Sequence, residues 1–183
     1  MRVIDALVRH GASVNVADCG SFNAFHFACY HGQVKAVAAL LRHGALIETR
    51  DDLGFTPLIM STENGHAGVA RLLLEHGAQI NSRTDDGGSP LFMASQNNHP
   101  EVVALLLGKG AQVDLPTRKE TTPLCMSAFK GQAAVARILL DHGAQIDSRD
   151  NDGWSALYAA SQRNHPEVVA LLQARIAGRV QEM

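Results

Sequence analysis

Residues 51–83 read DDLGFTPLIMSTENGHAGVARLLLEHGAQINSR, and everything else in the chain is organised around this stretch. Its Gly77-Ala78 pair recurs at Gly11, Gly44, Gly110 and Gly143, always at a step of 33 residues. Its Thr56-Pro57-Leu58 recurs at the same step as Ser89-Pro90-Leu91, Thr122-Pro123-Leu124 and Ser155-Ala156-Leu157. A fixed period of this size is the mark of a repeat array. Counting outward gives five blocks, 18–50, 51–83, 84–116, 117–149 and 150–182, and residues 1–17 align with the second half of a sixth. The period covers the chain, which predicts one domain over residues 1–183. A longer period of 66 residues lies on top: Ser95–Leu106 matches Ser161–Leu172 except that Asn97 becomes Arg163, as if repeats were duplicated in pairs.

Each block spells out local structure. Thr56, Ser89 and Thr122 offer a side-chain oxygen to the first amides of a helix, and the proline that follows suits a first turn, where no donor is needed. Gly32, Gly65 and Gly131 then break the chain, with Asn98 and Asn164 as the substitutes best able to take a left-handed backbone. Pro100 and Pro166 open a second helix carrying an apolar run such as Val102–Leu107, and Gly-Ala ends it. Asp51-Asp52-Leu53-Gly54 suits a tight hairpin turn between units. Helices this short fall below the roughly 12–15 residues at which an isolated helix becomes stable. Small residues at Ala28, Ser61, Ala94, Ser127 and Ala160 let a neighbouring helix come close. The pattern predicts an all-α repeat solenoid whose stability is a sum of neighbour-to-neighbour interfaces.

Asp51, Gly54, Thr56-Pro57-Leu58, Gly65-His66, Leu72–Leu74, Gly77-Ala78 and Ile80-Asn81 together resemble the ankyrin repeat, and the other blocks repeat the pattern in register. The resemblance implies antiparallel helix pairs linked by β-hairpin fingers. It also implies recognition of a protein or peptide on the concave face, through fingertips and the exposed side of each first helix. The departures carry expectations of their own. The histidine the family places after Pro-Leu survives only as His26, against Ile59, Phe92, Cys125 and Tyr158. Glu120 stands where the finger has its turn glycine, which predicts a distorted finger. Leu72–Asn81 resembles ankyrin segments hydroxylated on asparagine, which makes Asn81 a candidate for that modification.

Composition narrows the function. Apolar residues at 46% and charged residues at 19% are ordinary for a globular domain, which argues against a disordered or disulfide-stapled chain. A net charge of -2 leaves no cationic excess for a phosphate backbone, so nucleic acid is not expected as a partner. No stretch approaches the roughly 18 apolar residues of a membrane span. Three irregularly spaced cysteines read as reduced thiols, so a cytoplasmic or nuclear location is expected. No cofactor is expected. Cys19, His26, Cys29 and His31 form a local cluster of metal-ligand types, but the repeat scatters them between a finger and two sides of a helix. His10, His43, His76 and His142 fall at one repeat position, and stacked helices about 8–10 Å apart are too distant for shared zinc ligation. His66, His99 and His165 read as structural hydrogen-bonders. No serine or cysteine has a base and an orienting acid fixed beside it, so no enzyme is expected.

The candidate partner-binding residues are Phe55, Asp85, Asp86, Arg118, Lys119, Phe129, Lys130, Trp154 and Arg163. Asp52, Glu63, Asp85 and Asp86 make the middle acidic, while the fourth and fifth blocks bring cations and aromatics together. Aromatic residues and arginine dominate interface energetics. Phe129, Lys130, Trp154 and Arg163 are therefore the expected hot spot, for a partner offering an apolar anchor and a carboxylate; otherwise Trp154 packs on its own hairpin and the charges form a solvated face. Arg50, Arg83 and Arg149 precede successive fingers and are expected to line the same edge. The ends differ. The last block has Ile176-Ala177 for Gly-Ala and turns polar at Gln173, Arg175, Arg179 and Gln181, as a terminal cap requires. At the start, Val3, Ile4, Leu7 and Val8 have no partner helix. Either further repeats precede them or this face packs on another chain, which leaves open a regulatory or spacer array that packs on its own chain or self-associates.

Overall fold

The structure, a computed structural model, describes residues 2–181, with side chains for residues 3–178; the side chains of Arg179 and Gln181, assigned above to the cap, lie outside the described residues. A lone helix, α1 (Arg2–Arg9), precedes five helix pairs. The first helices of the pairs are α2 (Ala24–Tyr30), α4 (Pro57–Glu63), α6 (Pro90–Gln96), α8 (Pro123–Lys130) and α10 (Ala156–Gln162). The second helices are α3 (Val34–Arg42), α5 (Ala67–Glu75), α7 (Pro100–Gly108), α9 (Ala133–Asp141) and α11 (Pro166–Gln181). Each first helix packs on the next first helix and each second helix on the next second helix, so the two rows run the length of a solenoid. Asn23, Thr56, Ser89, Thr122 and Ser155 cap the first row, each side chain accepting from the amide three residues on. Two columns of buried side chains, Phe25-Leu58-Leu91-Leu124 and Leu40-Leu73-Leu106-Leu139-Leu172, carry the core along the stack.

The fingers form no sheet among the described residues; each is a tight turn, and only Ala17–Asn23 and Arg149–Ser155 pair as isolated bridges. The distortion expected at Glu120 is absent. Its φ is +58°, and the turn closes through Thr117 N–H on Thr121 O at 3.1 Å, as in the Asp51–Phe55 and Asp150–Trp154 fingers. A left-handed residue with a Cβ costs about 1–2 kcal/mol, and the hydrogen bonds of the turn hold it there. Gly11, Gly44, Gly77, Gly110 and Gly143 all terminate second helices at positive φ. Where that glycine is lacking, α11 runs on for 16 residues.

Neighbouring units are locked by hydrogen bonds that repeat with the period. His66, His99 and His165 donate Nε2–H to the carbonyls of Tyr30, Glu63 and Phe129, 36 residues back in each case, at 2.8, 2.8 and 3.1 Å. Their rings lie against the glycine column: a Cβ on Gly65 would sit 2.6 Å from Nδ1 of His99, and Gly32 and Gly131 face His66 and His165 in the same way. In the third unit the glycine is Asn98, which also takes positive φ. The residue opposite is no longer histidine but Gln132, which makes the equivalent bond to Gln96 O at 3.0 Å. Two departures from the repeat are thus one: a Cβ at 98 removes the room for an imidazole at 132.

Arg50 and Arg83 are spent on this lattice rather than on the groove edge. Arg50 donates to Gly54 O of its own finger and, at 2.8 Å, to Arg83 O of the next; Arg83 repeats this on Gly87 O and Pro116 O. Arg149 keeps only the bond to Gly153 O. His26, fully buried, accepts from Asn23 N–H through Nδ1 and donates from Nε2 to Thr49 O. Burial pushes its pKa below the ordinary 6.5 despite the Thr49 carbonyl.

Two predictions follow from these contacts. Gly65→Ala should cost about 2–4 kcal/mol of stability in urea denaturation, from left-handed strain plus the His99 collision. Gly143→Ala, with nothing within 4 Å of the new Cβ, should cost only the conformational part of about 1–2 kcal/mol. The excess at position 65 should shrink when Gly65→Ala is combined with His99→Gln. The second prediction concerns pH. Because burial lowers the His26 pKa in the folded state below the roughly 6.5 of the unfolded imidazole, the unfolded chain takes up the proton first and stability is lost as pH falls through that value. The parent should lose more stability than His26→Gln between about pH 7.5 and 5.5.

Candidate functional site

Hydrogen bonds between fingertips hold all five fingers on one edge. Asp52 N–H reaches Gly20 O, Asp85 N–H reaches Leu53 O, Arg118 N–H reaches Asp86 O and Asn151 N–H reaches Lys119 O, at 3.3, 3.1, 3.0 and 3.1 Å. With the backbone consumed in this ladder, the side chains of the tips are left outward. Asp85, Asp86, Arg118 and Lys119 are exposed, and Phe55 is half-buried in its own finger.

The middle of the surface holds an open cavity of about 470 Å³, where Glu63 and Asp86 face Arg118 and Lys119 across Met93 and Met126. Burial, with the Asp51 charge, raises the Glu63 carboxyl above its usual range. The two methionines were not singled out from the sequence, although Met60, Met93 and Met126 recur at the 33-residue step.

Further along, Phe129, Trp154 and Arg163 come together. Trp154 is held by its finger, its N–H donating to Asp150 Oδ1 at 2.8 Å and its carbonyl accepting from Asp150 N–H at 3.1 Å. Its ring centroid lies 6.4 Å from that of Phe129 and 5.0 Å, edge-on, from that of Tyr158. The Arg163 guanidinium lies 4.0 Å over the Phe129 ring, within the range of a cation–π contact. Phe129 and Trp154 line an open slot of about 300 Å³ together with Cys125, Met126 and Ala159, and Lys119, Thr121, Asp150 and Asp152 complete its lining. Lys130 is exposed at the end of α8, beside Phe129. Phe55, Asp85 and Asp86 lie outside this cluster. Tyr158 was met in the sequence only as a departure from the usual histidine; at 46% exposure it is part of the aromatic row.

Other residue types with chemical potential are accounted for by structure. Cys19 is exposed on a finger while Cys29 is buried, its thiol pushed up to about 12 by burial. With both His26 nitrogens engaged and His31 exposed against Phe27 and Tyr30, these four residues do not converge. Among the described residues, no group of three or more His, Cys, Asp or Glu is placed to hold a metal. His76 and His142 donate Nδ1–H to carbonyls of their own helices, while His43 pairs with Asp5 at 2.8 Å. Asn81 Oδ1 accepts from Gln112 N–H at 3.0 Å, one of a row that includes Asn15, Glu48 and Asp114. No helix of the described residues is long and apolar enough to cross a membrane.

The family model "Ankyrin repeats (3 copies)" matches residues 46–117 and 91–179, and the model "Ankyrin repeat" matches residues 22–52. No curated protein matches the chain. Matches that run from residue 22 to residue 179, over a solenoid of capped helix pairs locked at the repeat period, establish that the chain belongs to the ankyrin repeat family.

Proposed function

We propose that residues 1–183 act as one protein-interaction domain that binds a peptide or a folded partner on the surface of fingertips and first helices. Ankyrin repeats generally mediate protein–protein interactions, and they are typically non-enzymatic. The observation that supports this surface is the state of its charges. Among the described residues no carboxylate lies within ion-pair distance of Arg118, Lys119, Lys130 or Arg163, and the ion pairs present, His43–Asp5 and Arg175–Asp141, lie elsewhere. These cations stand beside half-buried aromatic rings, the composition that supplies binding energy at protein interfaces.

A second reading has its own observation. At the other end Val3, Leu7, Phe27 and Val34 are 70%, 55%, 57% and 43% exposed, which supports a regulatory or spacer array whose first units pack on its own chain or on another copy.

Affinity capture with mass spectrometry separates the two. Partners of the parent chain should be lost, with affinity down about tenfold or more, when Arg118→Glu and Lys119→Glu are combined. They should be retained by Leu7→Ser with Phe27→Ser. Loss in the second variant alone, with a parent mass in solution above 19.6 kDa, favours the array reading and overturns the first.

A further inference from the structure

Resting on the groove reading above, we infer that the slot lined by Phe129 and Trp154 takes one large apolar side chain of an extended peptide, and that Arg163 holds a carboxylate of the same peptide. The apolar half comes from the walls. Phe129, Trp154 and Met126 line an open slot of about 300 Å³, the lower end of the roughly 300–1,000 Å³ typical of ligand sites. Its rings are fixed before any ligand arrives: Trp154 by the Asp150 finger and by Tyr158, Phe129 by the guanidinium above it. A preordered slot spares the ordering cost that binding otherwise carries.

The acidic half comes from unsatisfied charge. A guanidinium stacked flat on a ring keeps its edge N–H groups directed outward in the fork that matches a carboxylate. Among the described residues, no carboxylate reaches Arg163 and no hydrogen bond uses its N–H groups. Lys119 in the lining of the slot adds to the same sign. Of the two carboxylates that line the slot, Asp150 is occupied by the amides of Asp152 and Trp154, and Asp152 is exposed. A purely apolar ligand would leave Arg163 without a partner.

The chain contains one tryptophan, so Trp154 emission reports the slot without a label. A displayed library of random linear peptides selected on the full chain should enrich sequences with Leu, Ile, Met, Phe or Trp a few residues from Asp or Glu. A synthetic peptide with the enriched sequence should shift Trp154 emission on titration. Trp154→Ala should weaken it about tenfold or more, while Trp154→Phe, which keeps a ring in the same finger, should retain most of the affinity. Arg163→Gln should erase the acidic preference and leave the apolar one, a split that a merely unfolded variant cannot give. A library that enriches nothing, or enriches basic peptides, overturns the inference. If the winners are lost only with Asp85→Lys and Asp86→Lys, the slot fails while the groove reading stands. If only Phe27→Ser abolishes them, both fail.

Discussion

No unit of this chain can satisfy itself. Every helix pair leaves one apolar face and one set of backbone groups to be completed by the next, and the bond from His66 Nε2 to Tyr30 O shows how tightly the completion is specified. The imidazole must cross from one unit to the carbonyl of the unit before it, and it passes directly over Gly32, where a Cβ would collide with the ring. That single crossing fixes the distance between stacked helices, the identity of the glycine and the left-handed turn it occupies. The other periodic bonds, Asn81 to the Gln112 amide and Arg50 to the Arg83 carbonyl, act at different heights of the same interface. Stability in such an array is carried between units, so a defect at one junction weakens its immediate neighbours most.

This is why so much was legible from one sequence. The period, the caps at Thr56, Ser89 and Thr122, and the glycine terminators are all requirements of local backbone chemistry, and local requirements leave local signatures. What the sequence did not disclose depends on contacts between units. Arg50 and Arg83 look like surface cations until the next unit is placed, at which point their N–H groups are found on carbonyls that no sequence pattern marks. Asn98 and Gln132 look like two independent irregularities until the ring at one is seen to need the hydrogen atom at the other. Glu120 misled in the opposite sense: a left-handed turn prefers glycine, but the preference is small against a hydrogen-bonded turn tied to both neighbouring fingers.

The candidate site was legible in part for the same reason. Phe129, Trp154 and Arg163 attract notice because their types are costly to leave at a surface without purpose. The Trp154 ring also stands edge-on against Tyr158, which the sequence marked only as a departure from the usual histidine. The same column holds His26, Ile59, Phe92 and Cys125, all buried by the following unit. At Tyr158 no following unit of the described chain covers the ring, so it stands edge-on against Trp154 instead.

The first and last units of the described array therefore differ in kind. At the first, Phe27 is 57% exposed against the His31 ring and lines a mostly apolar hollow with Ile4, Ala36, Leu40 and Gln33. Such a face can bury area, but it discriminates poorly among apolar surfaces. At the other, Tyr158 turns an uncovered ring into a brace, Trp154 faces back into the groove, and Arg163 is held over Phe129 with its donors unspent. Specificity needs a group that is costly to leave unpaired as well as an apolar surface to cover. Among the described residues the second end supplies both, with Tyr158 edge-on against Trp154 and the Arg163 guanidinium over Phe129.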